Sequence, residues 1–281
     1  MRASDDAHRV ATALAAELGL DSPRITRLPG GSANLVFRLV DAGHDFVLRL
    51  AGPRAARLGA DHACEQAMLA LAAQAGLAPQ LVLARPGQGL LVTGHAAGRT
   101  LTREDLRDPA QLARIGAWIA GLQALPPPEL PRVDLGARAA GYLATLQSRA
   151  PSATAGRIAR SLAARRAGLP AAGTVSCHHD LHHRNLVDTG ERLLAVDWEY
   201  AGPGDPAADL AGCIGYHGLA PVAQEALFAG YGTDDAALRA RVAALAWIFD
   251  CLWYAWNAVA ALEGMAPDAA LQTRLEAGLL A

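Results

Sequence analysis

The sequence predicts an α+β protein of two lobes. A small antiparallel sheet with one helix occupies residues 1–93, a mostly helical part occupies residues 99–281, and a hinge at 94–98 joins them. Three observations carry this reading. Up to residue 93, short apolar runs are separated by glycine turns, as in strands of a small sheet. Beyond residue 99, apolar positions recur at helical spacing and glycines act as stops. With 281 residues, 52% of them hydrophobic, the chain can fill two cores.

In chain order, residues 5–19 form an amphipathic helix with Val10, Leu14 and Leu18 on one face and Gly19 as its stop. The run I-T-R-L-P-G-G-S-A-N-L-V-F-R-L-V gives a strand, a glycine turn at Gly30 and Gly31, and a second strand over 35–40. A turn at 41–43 leads to a third strand over 46–50, which carries Arg49. Residues 61–75 are helical, with Glu65 in the first turns and Gly76 as the stop. Short strands over 81–84 and 90–93 flank an R-P-G-Q-G turn, so the order is β-β-β-α-β-β. Past the hinge, Thr102 and Asp105 set a capping box. Helices follow over 109–124, 136–149 and 152–167, with P-P-P-E-L-P as a stiff connector. A hairpin follows, with strands over 185–187 and 193–196 joined at 188–190, and helices run from A-G-P-G-D-P to the end.

Composition narrows the function. A net charge of −2 provides no basic surface for nucleic acid or for a membrane. The apolar run over 243–262 is interrupted by Asp250 and Asn257, which fits a buried helix rather than an inserted one. Cys64, Cys177, Cys213 and Cys251 form no C-x-x-C pair and read as reduced core thiols of a cytoplasmic protein. The first ten residues are polar and acidic, unlike a signal peptide. All 25 basic side chains apart from histidine are arginine, so neither a P-loop lysine nor a Schiff-base lysine is available. A monomer or homodimer is expected.

The chemistry centres on residues 177–200, C-H-H-D-L-H-H-R-N-L-V-D-T-G-E-R-L-L-A-V-D-W-E-Y. Transfer of a terminal phosphoryl group needs a held nucleotide, Mg²⁺ and a positioned hydroxyl. Mg²⁺ takes carboxylate and amide oxygens and keeps several waters, so few protein ligands suffice. Asp197 and Asn185 are candidate ligands, and Asp180 is the candidate base that takes the proton of the acceptor hydroxyl. A rival reading places zinc on His178, His179, His182, His183 and Asp180. The order H-H-D-L-H-H lacks the spacing of zinc hydrolases, and H-E-x-x-H is absent.

H-H-D-L-H-H-R-N keeps the H-x-D-x-x-x-x-N spacing of the protein-kinase-like catalytic loop, and D-W-E stands where protein kinases have D-F-G. The run V-D-W-E-Y-A-G-P-G-D-P-A-A-D-L-A resembles the aminoglycoside phosphotransferase and choline kinase superfamily, most closely its choline and thiamine kinase branch. G-G-S-A-N, the Arg49 strand, the Glu65 helix and the hinge stand upstream in matching order, so the resemblance spans most of the chain. It implies a protein-kinase-like two-lobe fold and a kinase using ATP and Mg²⁺. The 30–34 loop, with Gly31, Ser32 and Asn34, would cover the phosphates, although an ordinary glycine hairpin has the same sequence. Arg49 would replace the usual strand lysine, with Glu65 as its helix partner. The backbone at Gly94, His95 and Ala96 would meet the purine. Asp209 would brace the catalytic loop.

The acceptor is read from A-W-I-F-D-C-L-W-Y-A-W-N, residues 246–257. Asp250, Trp253, Tyr254 and Asn257 share one side of this helix. Its W-x-x-W spacing, Trp253 to Trp256, is similar to that of choline kinases. Aromatic faces attract a cationic group by about 0.5–2 kcal/mol. With Glu199, these residues form the expected acceptor site for a small cationic alcohol, though a tryptophan-rich helix is also an ordinary core helix. A resistance kinase for aminoglycosides or macrolides, and a nucleotide-binding pseudokinase, remain the alternatives.

Overall fold

The computed structural model describes residues 2–29 and 34–280. Its contacts divide the chain into two compact units, one of Met1–Arg99 with Val187–Tyr200 and one of Thr100–Leu186 with Ala201–Ala281. The predicted second lobe was a continuous 99–281, whereas in the structure Val187–Tyr200 groups with the first unit. Asp197 therefore belongs to the sheet-bearing unit.

The first unit begins with α1 (Arg2–Glu17), followed by β1 (Arg24–Arg27), β2 (Asn34–Val40), β3 (Asp45–Ala51), α2 (His62–Gln74), β4 (Leu81–Arg85) and β5 (Leu90–Gly94). The five strands form one antiparallel sheet in the order β1-β2-β3-β5-β4. The predicted order of strands and helix holds. Ala7, Ala11, Leu14 and Ala15 of α1 pack against Phe37, Leu39, Leu48, Leu90 and Val92 of the sheet. Strand alternation then turns Arg49 to the opposite face, where it meets α2.

The second unit is built on helices. After β6 (Arg99–Thr100) come α3 (Pro109–Gln123), α4 (Leu135–Arg149) and α5 (Ala153–Ala167). Strands β7 (Val175–Cys177), β8 (Leu186–Asp188), β9 (Leu193–Ala195) and β10 (Gly202–Gly204) are short; β8 from Val187 on and all of β9 belong to the first unit. The chain ends with α6 (Ala208–His217), α7 (Pro221–Tyr231), α8 (Ala236–Leu262) and α9 (Ala269–Leu280). The capping-box reading needs a correction. Thr102 does give its N–H and hydroxyl to Asp105, at 2.7 Å each, but this closes a 3₁₀ turn. The α3 helix is capped instead by Asp108, with Pro109 in its first turn.

Helix α8 is long and apolar enough to cross a membrane by length and composition. It packs against α4, α5, α6 and α9, burying Val242, Leu245, Ile248, Phe249 and Leu252. At the α3–α7 crossing, a Cβ on Gly230 would fall on the Ala113 carbonyl, so glycine lets the two backbones touch.

Candidate functional site

In the first unit the sequence builds an ion cluster around Arg49. Asp61 caps α2 by accepting from the N–H groups of Ala63 and Cys64 at 3.1 and 3.0 Å. That fixes the first turn and places Glu65 beneath β3. The Arg49 guanidinium donates through Nη2 to Glu65 and through Nη1 to Glu199 Oε2, the latter at 3.1 Å. Glu199 Oε2 also accepts from Asn34 Nδ2 at 2.8 Å, and His62 Nδ1 lies 3.1 Å from Glu65. Arg49 is 8% exposed, Glu65 2% and Glu199 7%, so this is a buried network. Glu199 is therefore not an open acceptor group as expected; its carboxylate is committed to Arg49 and Asn34. Neither Glu199's role nor that of His62 was visible in the sequence, because no spacing rule links residues 150 positions apart. The loop residues Gly31 and Ser32 lie outside the described residues.

Asp197 follows β9 in the left-handed region, at φ 65°. Trp198 anchors the turn, with its indole N–H on the Ala195 carbonyl at 2.9 Å. Desolvation, then Glu199 and Glu65, push the Asp197 carboxyl up to about 7, while Arg49 opposes them. Because the residue itself is exposed, water keeps this shift below that of a sealed carboxyl. Among the described residues its carboxylate makes no hydrogen bond.

At the expected purine strand, the N–H groups of Gly94 and His95 are already spent on the carbonyls of Gln80 and Asp45, at 2.8 and 2.9 Å. They cannot donate to a base. The Ala96 N–H has no partner among the described residues, so this segment offers Ala96 as donor and the carbonyls as acceptors.

In the second unit, Asp209 braces the catalytic loop. Its carboxylate accepts from the N–H groups of His178 and His179, at 2.9 and 2.8 Å. His179 sits at φ 62°, and a Cβ on Gly204 would run into its ring, so β10 needs glycine there. A 3₁₀ turn at His183–Asn185 then folds the chain back. Asn185 Nδ2 donates to the Asp180 carbonyl at 2.9 Å and to Asp180 Oδ2 at 3.0 Å. The five-residue spacing read from the sequence thus places these two side chains together. Asn185 Oδ1 accepts no hydrogen bond among the described residues.

Burial pushes the Asp209 carboxyl up from 3.8 to about 6. A carboxyl with a raised folded pKa favours the fold most in its protonated form. Its contribution is full below pH ~4 and is lost as pH rises to about 6. Asp209→Asn, which cannot ionise, is therefore expected to gain on the wild type by about 2 kcal/mol between pH 4 and pH 6.5. Urea unfolding at the two pH values checks this, and a constant difference would refute it.

Near Asp180 the structure gathers an aromatic cluster in which His182, His183 and Trp253, singled out in the sequence, are joined by Tyr216 and His217, which were not. His182 Nε2 lies 3.7 Å from Asp180 Oδ2, and the His182 ring stacks on Tyr216 at 4.7 Å. Tyr216 meets Trp253 edge-on at 5.2 Å. Burial and neighbouring positive charge hold His182 and His217 at about 3, so both are neutral. On α8, Asp250 and Trp253 face Gly215 of α6, and Asp250 Oδ1 is buried with no hydrogen-bond partner. Burial raises the Asp250 carboxyl to about 6, against Arg274. Trp256 lies about 120° round the helix from Asp250. Tyr254 is buried, and the Glu276 charge of α9 acts on it. Asn257 is spent on Gln272 at 2.8 Å.

An arginine–glutamate clamp under a small antiparallel sheet, and an aspartate–asparagine loop in a helical unit, define a protein-kinase-like phosphotransferase. The chain belongs to the phosphotransferase enzyme family APH, whose model matches residues 24–245. No curated protein matches its sequence. It is similar to a choline/ethanolamine kinase family protein from Mesorhizobium loti, with 28% identity over 92% of this chain and 87% of that one, and a TM-score of 0.76. The choline kinase LicA from Streptococcus pneumoniae, also solved with AMP, shares the fold at 18% identity, 98% coverage of both chains and a TM-score of 0.79. A macrolide 2'-phosphotransferase from Brachybacterium faecium shares it at 23% identity, covering 95% of this chain and 96% of that one, with a TM-score of 0.60.

Proposed function

We propose that the protein transfers the terminal phosphoryl group of ATP, with Mg²⁺, to the hydroxyl of a small cationic alcohol of the choline or thiamine kind. The observation that carries the transfer reading is the Asp180–Asn185 pair. Asn185 holds Asp180 through Oδ2 and so fixes the carboxylate that would take the hydroxyl proton. As the hydroxyl oxygen attacks the terminal phosphorus, its proton passes to Asp180 and ADP leaves with the bridging oxygen. Arg49 holds the nucleotide phosphates; its buried Nε has no hydrogen-bond partner among the described residues. Asn185 Oδ1 in one unit and the exposed Asp197 carboxylate in the other are each a hard oxygen donor without a hydrogen bond among the described residues, the donor type that Mg²⁺ takes. When bound, the metal neutralises charge on the phosphates.

The cationic acceptor rests on Asp250 and Trp253. A carboxyl short of partners beside an indole and a phenol suits an ammonium, by charge and by cation–π attraction. The likeness to a choline/ethanolamine kinase family protein points the same way. ADP release is to be followed over choline, ethanolamine, thiamine, homoserine and aminoglycosides. A small cationic alcohol is expected to be turned over best, and Asp250→Asn to raise its KM about tenfold, the loss of one charged contact. An unchanged KM would remove Asp250 from the acceptor site, and a preference for aminoglycosides would replace this reading with the antibiotic-kinase one.

A further inference from the structure

Two carboxylates converge on one guanidinium in the sheet-bearing unit, and a histidine stands beside them. Glu65 and Glu199 both pair with Arg49, and His62 is the one other group among the described residues that can bring positive charge to either acid. His62 opens α2, and its Nδ1 lies 3.1 Å from Glu65 Oε2 and 3.5 Å from Arg49 Nη2. An ionised carboxylate only accepts, so Nδ1 carries a hydrogen and Nε2 is the nitrogen that gains or loses the second proton. One oxygen of Glu65 thus serves two donors, while its Oε1 is buried without a partner. The His62 side chain is 17% exposed, so water reaches the ring. Arg49 faces it from β3 and Glu65 from α2, and a Cβ on Gly89, just before β5, would lie 3.6 Å from Nε2. Asp61 precedes it in the chain and spends its carboxylate on the N–H groups of Ala63 and Cys64. Glu199 is tied to the same helix start, since its carbonyl accepts from the Asp61 N–H at 3.3 Å. With His62 neutral, two acids outweigh one guanidinium. The excess reaches Asp197, which burial and then these two acids push up to about 7.

We propose that His62 is the second cation of the clamp, taking up a proton as nucleotide phosphate reaches Arg49, so that Glu65 passes to the imidazolium and the guanidinium is left for phosphate; this rests on the nucleotide half of the transfer reading above. Two acids on Arg49 with no second cation would repel a polyphosphate. A protonated His62 restores one cation for each acid, Arg49 with Glu199 and His62 with Glu65. The proton comes from solvent and adds at Nε2, and no bond of the nucleotide changes. His62 acts through Arg49 and is a positioning residue. By linkage, a nucleotide whose binding draws in a proton binds more tightly at lower pH. Imidazole is the ordinary side chain that changes charge between about pH 5 and 8.

The test is calorimetric binding of ADP without metal at about pH 6 and about pH 8, the two sides of the histidine range. Near neutral pH it is repeated in two buffers of different ionisation enthalpy, which counts the protons taken up. His62→Asn keeps a donor near the Nδ1 position but cannot charge, and His62→Lys carries a charge that does not titrate in this range. The ratio of ADP affinities at the lower and higher pH is expected to be about tenfold larger in the wild type than in either variant, the scale of one charged contact. His62→Asn is expected to bind weakly at both pH values, His62→Lys tightly at both, and each to lose the extra proton uptake. Asp197 and the ADP phosphate also titrate here, but all three proteins share them, so the differences read His62. Thermal melting checks the fold, and either variant alone gives the comparison. Equal weakening by His62→Asn at both pH values would make His62 a neutral hydrogen-bond donor and overturn the proposal. A wild-type pH ratio that persists in His62→Asn, or no ADP binding by the wild type at either pH, would overturn it too. His62-dependent proton uptake with no turnover of any alcohol would uphold the proposal and reject the transfer reading. Turnover of an alcohol, with a pH ratio indifferent to His62, would do the reverse.

Discussion

Asp180→Asn is expected to lower kcat by about 10²–10⁴-fold, the usual contribution of a positioned general base, while nucleotide affinity and melting temperature stay near wild type. The substitution is nearly isosteric. An asparagine at 180 still presents an oxygen to Asn185 Nδ2, and the backbone carbonyl of residue 180 still accepts the second hydrogen bond from that amide. The bracing of the loop by Asp209 runs through the N–H groups of residues 178 and 179 and does not involve the side chain at 180. Only the capacity to take a proton is removed. The measurement is single-turnover ADP formation with the best acceptor, alongside calorimetric ADP binding. A variant that keeps more than about a tenth of wild-type kcat would exclude Asp180 as the base. A variant that also loses ADP binding would place residue 180 in nucleotide binding instead.

How much of this was legible in the sequence depended on how local the determinants were. The β-β-β-α-β-β order, the glycine stops and the helices over 109–124, 136–149 and 152–167 follow from periodicity within a dozen residues, and the structure has them within two residues of those bounds. The Asp180–Asn185 pair was legible for the same reason, since five residues with one 3₁₀ turn leave the chain little choice. What stayed hidden is set by topology. Glu199 meets Arg49 because a segment far along the chain returns to the sheet-bearing unit. Tyr216, His217 and Arg103 join His182 through contacts between separate elements, and no motif marks them. The W-x-x-W spacing alone does not fix a cage: three residues turn a helix by about 300°, so the two indoles diverge by about 60°, and the contact of Trp253 with Tyr216 of α6 is set by packing between elements.

The absence of lysine makes Arg49 the natural place for the last test. An ammonium is a compact charge with one centre, whereas a guanidinium presents two arms and an Nε. Here each arm has its own carboxylate: Glu65 on α2 and Glu199 after Asp197. The side chains of the three are 10%, 2% and 8% exposed, so water cannot stand in for a missing partner. Arg49→Ala would leave two buried carboxylates with no cation and is expected to destabilise the protein by about 3–5 kcal/mol. For a chain of this size that lowers the melting temperature by about 10 °C. Arg49→Lys should cost less, about 1–3 kcal/mol, because one ammonium can satisfy one of the two acids. Neutralising the second acid separates these effects. Glu199→Gln keeps an acceptor for Asn34 Nδ2 but removes the charge that Arg49 Nη1 balances. In the Arg49→Lys background, Glu199→Gln should therefore recover stability, while in the wild type it should cost some. A coupling energy of about 1–3 kcal/mol in that double-mutant cycle would establish Glu199 as the second anchor of the clamp. Additive effects within about 0.5 kcal/mol, or an Arg49→Ala protein as stable as wild type, would show that the guanidinium does not hold the two acids together.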